Sequence, residues 1–181
     1  NYDELIRALN IFHEEKGLNI SLRNITVSTC GLTEKIMRFA DDMPQVNLAV
    51  SLHAPSDEIR LKLMPVAKSC SMSELLSVCR KYTEKTHRRI TFEYALIEGV
   101  NDSMENAAQL AARLRGMLCH VNLIPLNRVS EKDFRGSARK HAEKFAAVLS
   151  SKGIEVTVRR ELGSDISAAC GQLRLTAESE G

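Results

Sequence analysis

The sequence predicts an α/β fold in which the strands of a parallel sheet alternate with helices. Short β-branched, apolar runs alternate with longer segments in which apolar residues recur every three to four positions, and this is the pattern of strand–helix repeats. Turn and capping residues separate the two kinds of segment. Residues 46–52 are apolar almost without interruption, which is typical of a strand that is buried on both faces of a parallel sheet.

Five β-branched or apolar runs are predicted strands. They lie at residues 25–29, 46–52, 90–97, 120–125 and 154–159. Alternation with helices implies right-handed βαβ units. Because five strands are too few to close an eight-stranded barrel, we expect an open, curved sheet or a part of a larger barrel.

The first helices are predicted from apolar faces and end signals. One face of the first helix carries Leu5, Leu9 and Phe12, and Lys16-Gly17 is expected to end that helix. Thr33 is the predicted cap of the second helix, whose apolar residues are Ile36, Met37 and Ala40.

Four further helices are predicted along the chain. A short helix over 56–64 is expected to end at Pro65. Ser71 with Glu74 three positions later is a capping-box signature, and Ser103 precedes another amphipathic segment. The last helix carries four apolar residues at helical spacing and is ended by Gly153, and these residues are Ala138, Ala142, Phe145 and Leu149.

Length and composition favour one soluble domain. The chain has 181 residues, of which 44% are hydrophobic and 27% charged, and its net charge of +2 is too small to require a nucleic-acid partner. No apolar run reaches membrane-spanning length. The five cysteines show no metal-binding spacing and are odd in number, which indicates a reducing compartment, the cytoplasm. We predict a core domain over 1–175 and a polar tail over 176–181.

Polar residues collect where the predicted strands end. Ser28, Ser51, His53 and Asn127 all follow or close a strand, and the carboxyl ends of parallel strands meet at one edge of a sheet. Each residue alone has a structural explanation as a turn or loop residue. Together they predict a pocket of hydrogen-bonding groups for a polar small molecule.

Two further features of the sequence each allow two interpretations. Cys170 lies among small neighbours in the segment AACGQL at 168–173, and it is either a small buried hydrophobe or a reactive thiol. Basic residues near the fourth strand are either a solvated face or phosphate contacts, and they are Arg128, Lys132, Arg135, Arg139 and Lys140. Aromatic content of 4% without tryptophan gives no support to a base-stacking platform.

Five segments in order resemble one protein family over residues 2–173. They are ITVSTCG at 25–31, LAVSLHAP at 48–55, EGVND at 98–102, VNLIPLN at 121–127 and AACGQL at 168–173. This set is similar to the radical S-adenosylmethionine (SAM) methyltransferases that modify adenine C2 in 23S rRNA and tRNA. The resemblance implies a partial (βα)6 barrel of which this chain is the C-terminal part, with the first strands and an RNA-contacting domain lying upstream.

The resemblance also implies roles for particular residues. Ser28, Ser51, Leu52, His53 and Asn127 would contact SAM, and Cys170 would be methylated and carry the methyl group to RNA. The family's 4Fe-4S cluster is held by a C-x-x-x-C-x-x-C motif that this sequence does not contain, so no metal ligand is assigned here. Cys30 stands where serine is frequent in the family and is not a cluster ligand.

The implied chemistry follows from the substrate. Adenine C2 is an electron-poor carbon without an easily removed proton, so direct nucleophilic methyl transfer is a poor route. In the family, one SAM methylates the cysteine, and a second is cleaved at the cluster to a radical that activates this methyl group. A thiolate suits the task because it is a strong nucleophile and a competent leaving group. The partners would be 23S rRNA, tRNA and an electron donor, without a membrane, and this chain alone would be inactive.

Three alternatives remain. The sister activity of the same superfamily methylates adenine C8. A non-catalytic βα module could bind RNA or a nucleotide through the basic loop from Arg128 to Lys140. A hydrolase could use Cys170 as nucleophile and His53 as base, although nothing in the sequence brings these two residues together.

Overall fold

The described part of the chain, residues 1–125 and 136–160 of a computed structural model, forms one five-stranded sheet with helices packed on it. All four strand pairs are parallel and neighbours follow chain order. The strands are β1 (Thr26–Thr29), β2 (Asn47–Ser51), β3 (Ile90–Leu96), β4 (Cys119–Pro125) and β5 (Glu155–Val158). The predicted α/β class is confirmed, and each predicted strand is present with ends that differ by at most one residue.

Six α-helices connect or precede the strands in this part of the chain. They are α1 (Tyr2–His13), α2 (Thr33–Asp42), α3 (Asp57–Leu63), α4 (Met72–Thr86), α5 (Met104–Leu114) and α6 (Arg139–Ser151). Short 3₁₀ turns cover Leu22–Asn24 and Pro65–Lys68. α2 packs on α4, and α5 packs on α6. No helix within the described ranges is both long and apolar enough to cross a bilayer.

Serine side chains cap three helices, and the sequence predicts two of these caps, Ser71 and Ser103. Ser56 Oγ accepts a hydrogen bond from the Ile59 amide at the start of α3, at 3.4 Å, and Ser71 does the same for Glu74 in α4, at 3.2 Å. Ser103 forms a complete capping box with Asn106. Each side chain satisfies an amide that would otherwise lack a partner within the helix.

Two predicted helix ends are wrong. Thr33 is the first helical residue and not the cap, because the Leu32 carbonyl already accepts the first helical hydrogen bond, from Ile36 at 3.1 Å. α1 ends at His13 and not at Lys16-Gly17. The Glu14 amide bonds to the Ile11 carbonyl, and this three-residue spacing tightens and closes the last turn.

Within residues 1–125 and 136–160, helices cover only one face of the sheet, because consecutive strands are neighbours and right-handed crossovers then pass over the same side. Side chains on β3 therefore alternate. The buried ones on the helix face are Ile90, Phe92, Tyr94 and Leu96. Those on the opposite face, called here the open face, are partly exposed, and they are Thr91, Glu93 and Ala95.

Burial on both faces, which was predicted for residues 46–52, is confirmed for residues 48–50 in the middle of β2, all of which are buried. At Asn47 and Ser51, the two ends of β2, burial is partial. On the helix face the core is continuous and includes a tilted contact between the rings of Tyr94 and Phe145, whose centroids are 5.4 Å apart. The predicted domain boundary at 175 and the tail over 176–181 lie outside the described residues.

Candidate functional site at the strand ends

Ser28, Ser51 and His53 lie at the carboxyl ends of β1 and β2. Ser28 pairs in register with Ala49, so Ser51 stands one two-residue step further toward the strand end on the same open face. Ser28 is exposed, whereas Ser51 and His53 are partly buried. Leu52 differs, because its side chain is fully buried and its amide donates to the Glu93 carbonyl at 3.0 Å. Of its polar groups, only the carbonyl oxygen is left for a ligand contact.

His53 is held in an unusual and specific geometry. Its φ of 55° lies in the left-handed region, which costs a non-glycine residue free energy and is frequent at functional sites. Nδ1 accepts a hydrogen bond from the Ala95 amide at 3.0 Å. Burial, with a smaller contribution from the Arg60 charge, lowers the pKa of His53 to about 4. At neutral pH the ring is therefore neutral, and the proton on Nε2 makes that nitrogen a hydrogen-bond donor.

Asn101 holds the His53 loop in place. It is fully buried, and its Oδ1 accepts from the Ile97 amide at 2.7 Å. Its Nδ2 donates to the carbonyls of His53 and Ala95, both at 2.7 Å. The Tyr94 hydroxyl donates to the Asn101 carbonyl at 2.7 Å. Sequence reasoning gave Asn101 no role, although an Asn-Asp pair after a strand and a glycine is a signal of a side-chain-stabilised turn.

Asp102 joins the β3–α5 turn to the segment before α6. Its carboxylate accepts from the Gly99 amide at 2.9 Å and from the Ser137 hydroxyl at 2.6 Å. His141 Nε2 lies 2.6 Å from the Asp102 carbonyl oxygen. The residue types are those of a hydrolase triad, but Ser137 donates to the aspartate and not to the histidine. The arrangement therefore lacks a nucleophile–base pair and is a structural link.

Arg60 fixes the turn that follows β1. Its side chain is fully buried, and Nη2 donates to the Cys30 carbonyl at 2.9 Å. At Gly31, where φ is 102°, a Cβ atom would lie 3.0 Å from Leu75 Cδ1 and 3.2 Å from Arg60 Nη2, so only glycine fits. Arg60 belongs to α3, just after β2, and it therefore couples the ends of the two strands that carry Ser28 and Ser51.

The cysteines in the described ranges are poor metal ligands. Cys30 is exposed and stands alone, whereas Cys70, Cys79 and Cys119 are buried. Burial raises the pKa of the Cys79 thiol to about 12 and that of Cys119 to about 11, which disfavours the thiolate that iron ligation needs. Within residues 1–125 and 136–160, no three His, Cys, Asp or Glu side chains are grouped so that they could hold a metal ion.

Several predicted site residues lie outside the described residues. They are Asn127, Cys170 and the basic residues Arg128, Lys132 and Arg135. The structure therefore places Ser28, Ser51 and His53 at the carboxyl ends of the neighbouring strands β1 and β2, and the positions of the other residues stay predictions. Arg139 and Lys140 are exposed in the first turn of α6.

The low pKa of His53 predicts a pH-dependent stability. Because an unfolded histidine titrates near 6.5, the unfolded state binds more protons than the folded state between about pH 4 and pH 6.5. The contribution is fully present above pH 6.5 and decreases as the pH falls toward 4, by about 3 kcal/mol in all. Urea unfolding at pH 7 and pH 4.5 measures it, with His53→Asn as the comparison because asparagine tolerates a positive φ. The same pH dependence in both proteins would contradict the assignment.

Comparison with known proteins identifies curated relatives of this chain. No protein-family model matches the sequence. A probable dual-specificity RNA methyltransferase RlmN of Thermoanaerobacter sp. (strain X514) is 54% identical over 174 residues, which are 96% of this chain and 51% of the relative. The protein of the same name from Clostridium perfringens (strain SM101 / Type A) is 56% identical, covering 96% and 50%. The chain thus spans about half the length of the curated relatives that it matches.

Solved structures agree with the fold. A radical SAM methyltransferase from Sphaerobacter thermophilus superimposes with a TM-score of 0.91 at 50% identity, over 95% of this chain and 50% of that one. A domain of pyruvate-formate lyase-activating enzyme from Bacteroides vulgatus has a TM-score of 0.67 over 88% of this chain and 91% of that one, and at 16% identity it supports the fold alone.

Sheet topology and structural relatives define the class: the chain forms part of a radical SAM barrel. Within that class the chain is RlmN-like, with curated RlmN relatives at 52–56% identity, and this supports the prediction of an RlmN-like C-terminal part.

Proposed function

We propose that this chain is the C-terminal part of a radical SAM RNA methyltransferase that methylates C2 of adenosine in 23S rRNA and tRNA. The observation that carries the proposal is the pre-formed strand-end site. His53, in a left-handed conformation and with a neutral ring, stands beside Ser51 in a chain whose relatives are named RNA methyltransferases.

The residues at the strand ends fit SAM. Ser28 and Ser51 offer hydroxyls that donate and accept, and His53 offers the Nε2 hydrogen as a donor, which suits the ribose and carboxylate oxygens of that cofactor. Leu52 would contribute its carbonyl oxygen. Asn127 is assigned to the same site by its motif. When bound, SAM supplies a methyl group and, after reductive cleavage, a radical.

The described cysteines do not fit a 4Fe-4S cluster, because three of them are buried thiols and Cys30 stands alone. We therefore assign the cluster ligands to the upstream C-x-x-x-C-x-x-C motif of the whole protein and no ligand to this chain. This polypeptide alone is expected to hold no cluster and to be inactive. Stoichiometric iron and sulfide retained after anaerobic reconstitution would contradict that expectation.

Each group of residues in this chain has its own role in the proposed reaction. The Cys170 thiolate would take a methyl group from SAM, with S-adenosylhomocysteine as the leaving group, and hold it as S-methylcysteine. Once the methyl carbon is bonded to adenine C2, an upstream cysteine of the whole protein would attack the Cys170 sulfur, so that the carbon–sulfur bond breaks and a disulfide remains. Ser28, Ser51 and His53 orient the cofactor at the rim. The buried helix face of the sheet and the Asn101 network keep this rim rigid and exclude water from one side.

The partners and the domain layout belong to the same proposal. 23S rRNA and tRNA are the substrates, an electron donor reduces the cluster, and the compartment is the cytoplasm. The core extends over 1–175, and 176–181 is a polar tail. The basic residues Arg128, Lys132 and Arg135 are candidates for phosphate contacts.

Nucleoside analysis tests the function. The full-length protein with its cluster, given SAM, a reductant and unmodified 23S rRNA or tRNA, is expected to produce 2-methyladenosine. 8-Methyladenosine would instead establish the C8 alternative. RNA binding without any methylated adenosine, from protein shown to hold its cluster, would favour the non-catalytic module.

A further inference from the structure

A row of polar side chains crosses the open face of the sheet, starting from Ser51 at the carboxyl end of β2. The backbone register aligns Ser51 with Glu93, Glu93 with Asn122, and Asn122 with Thr157, so the four residues lie side by side on β2, β3, β4 and β5. Partners in register on parallel strands point to the same face. Ser51, which belongs to the proposed cofactor site, is therefore the first member of this row, and Glu93 is its neighbour.

Glu93 is the charged member of this row. Its side chain is partly buried, and Oε2 accepts a hydrogen bond from Asn122 Nδ2 at 2.8 Å, which fixes the carboxylate on the open face. The other carboxylate in the neighbouring row, Glu155, is paired with Arg89. None of the ion pairs formed within residues 1–125 and 136–160 includes Glu93.

Among the described residues the Glu93 carboxylate has no counter-ion, and burying such a group beneath a ligand is costly, because the charge loses water without gaining an opposite charge. A neutral amide partner such as Asn122 orients the group but does not balance its charge. A cationic ligand group would do so. At the Ser51 edge of the sheet, the proposed cofactor brings a permanent cation, the sulfonium, which no change of pH can remove.

We propose that Glu93 is a specificity-determining residue whose carboxylate stabilises the positively charged sulfonium of SAM, with Asn122 holding that carboxylate in position. The inference rests on the proposed function. It assigns Glu93 a task that sequence reasoning did not consider, namely discrimination between the charged cofactor and its neutral thioether product. The ribose hydroxyls and the amino acid part of SAM would be bound by the rim residues Ser28, Ser51 and His53.

Paired binding measurements test this proposal. The full-length protein with its reconstituted cluster is titrated with SAM and with S-adenosylhomocysteine, which lacks the positive charge but keeps the ribose, adenine and amino acid. Glu93→Gln retains the shape and the acceptor for Asn122 and removes only the charge. We expect the variant to bind SAM about tenfold more weakly and S-adenosylhomocysteine within about twofold of the wild type.

Glu84→Gln is the matched control, because Glu84 is exposed on α4. It should leave both affinities unchanged. Urea unfolding of each variant shows whether the fold is intact, and if Glu93→Gln is unstable, Glu93→Asn is measured in the same way. If Glu93→Gln lowers the affinity for both ligands equally, or lowers neither affinity, the role of Glu93 is overturned while the proposed function stands. Failure of the wild type to bind either ligand overturns both.

Discussion

Replacing Cys170 by alanine in the full-length protein is expected to abolish RNA methylation. The proposed route passes the methyl carbon through the Cys170 sulfur, and no other group on the carrier segment ISAACGQLR at 166–174 can act as a thiolate nucleophile. Removal of a nucleophile that forms a covalent intermediate costs roughly 10³-fold or more in rate. Methyl groups incorporated into 23S rRNA and tRNA from labelled SAM measure the effect.

Cys30→Ser is the control for this experiment. The Cys30 side chain is exposed, and its contact with Arg60 is made by the backbone carbonyl, so the substitution leaves that hydrogen bond intact. We expect methylation by this variant to stay within about twofold of wild type, as for a surface substitution. Methylation retained by Cys170→Ala would remove Cys170 from the mechanism, and cofactor cleavage retained without methylation would support its place.

The second large effect concerns stability. Asn101→Ala is expected to lower the free energy of unfolding of this chain by about 4 kcal/mol, because the Ile97 amide and the carbonyls of His53 and Ala95 each lose a buried partner. Each such loss costs about 1–3 kcal/mol. Urea unfolding at pH 7 measures the difference.

Two comparisons make the result specific. Asn10→Ala changes an exposed asparagine in α1 and is expected to be neutral or stabilising by less than about 0.7 kcal/mol. Asn101→Asp keeps the acceptor for Ile97 but places a carboxylate against two carbonyl oxygens, so it should cost at least as much as alanine. A loss below about 1 kcal/mol for Asn101→Ala would contradict the role of Asn101 as the support of the His53 loop.

The sequence was sufficient to predict the fold because local and global signals agree. The apolar run on β2, the serine caps at Ser71 and Ser103 and most of the stripe on α6 each point to the structure that forms. Within that stripe only Ala138 is wrong, because it is the exposed residue just before α6. Thr33 misled because a hydroxyl residue near a helix start can stand at the cap or one position inside. Whether Thr33 is the cap or the first helical residue depends on the backbone conformation at Leu32, which cannot be inferred from the residue types.

The site was predictable only in part. Ser28, Ser51 and His53 could be placed at one rim, because the carboxyl ends of parallel strands meet there. The residues that hold this rim in place could not be predicted from the sequence. Asn101 reaches His53 across 48 positions of sequence and Arg60 reaches Cys30 across 30, and such contacts depend on how the strands pack and not on local pattern.

The central claim is that Cys170 carries the methyl group. The most direct measurement is the mass of the peptide that contains Cys170, from full-length protein purified out of cells. The account predicts one added methyl group on that cysteine. An unmodified Cys170, in protein shown to hold its cluster, would contradict the account and favour a binding module or a relative that has lost activity.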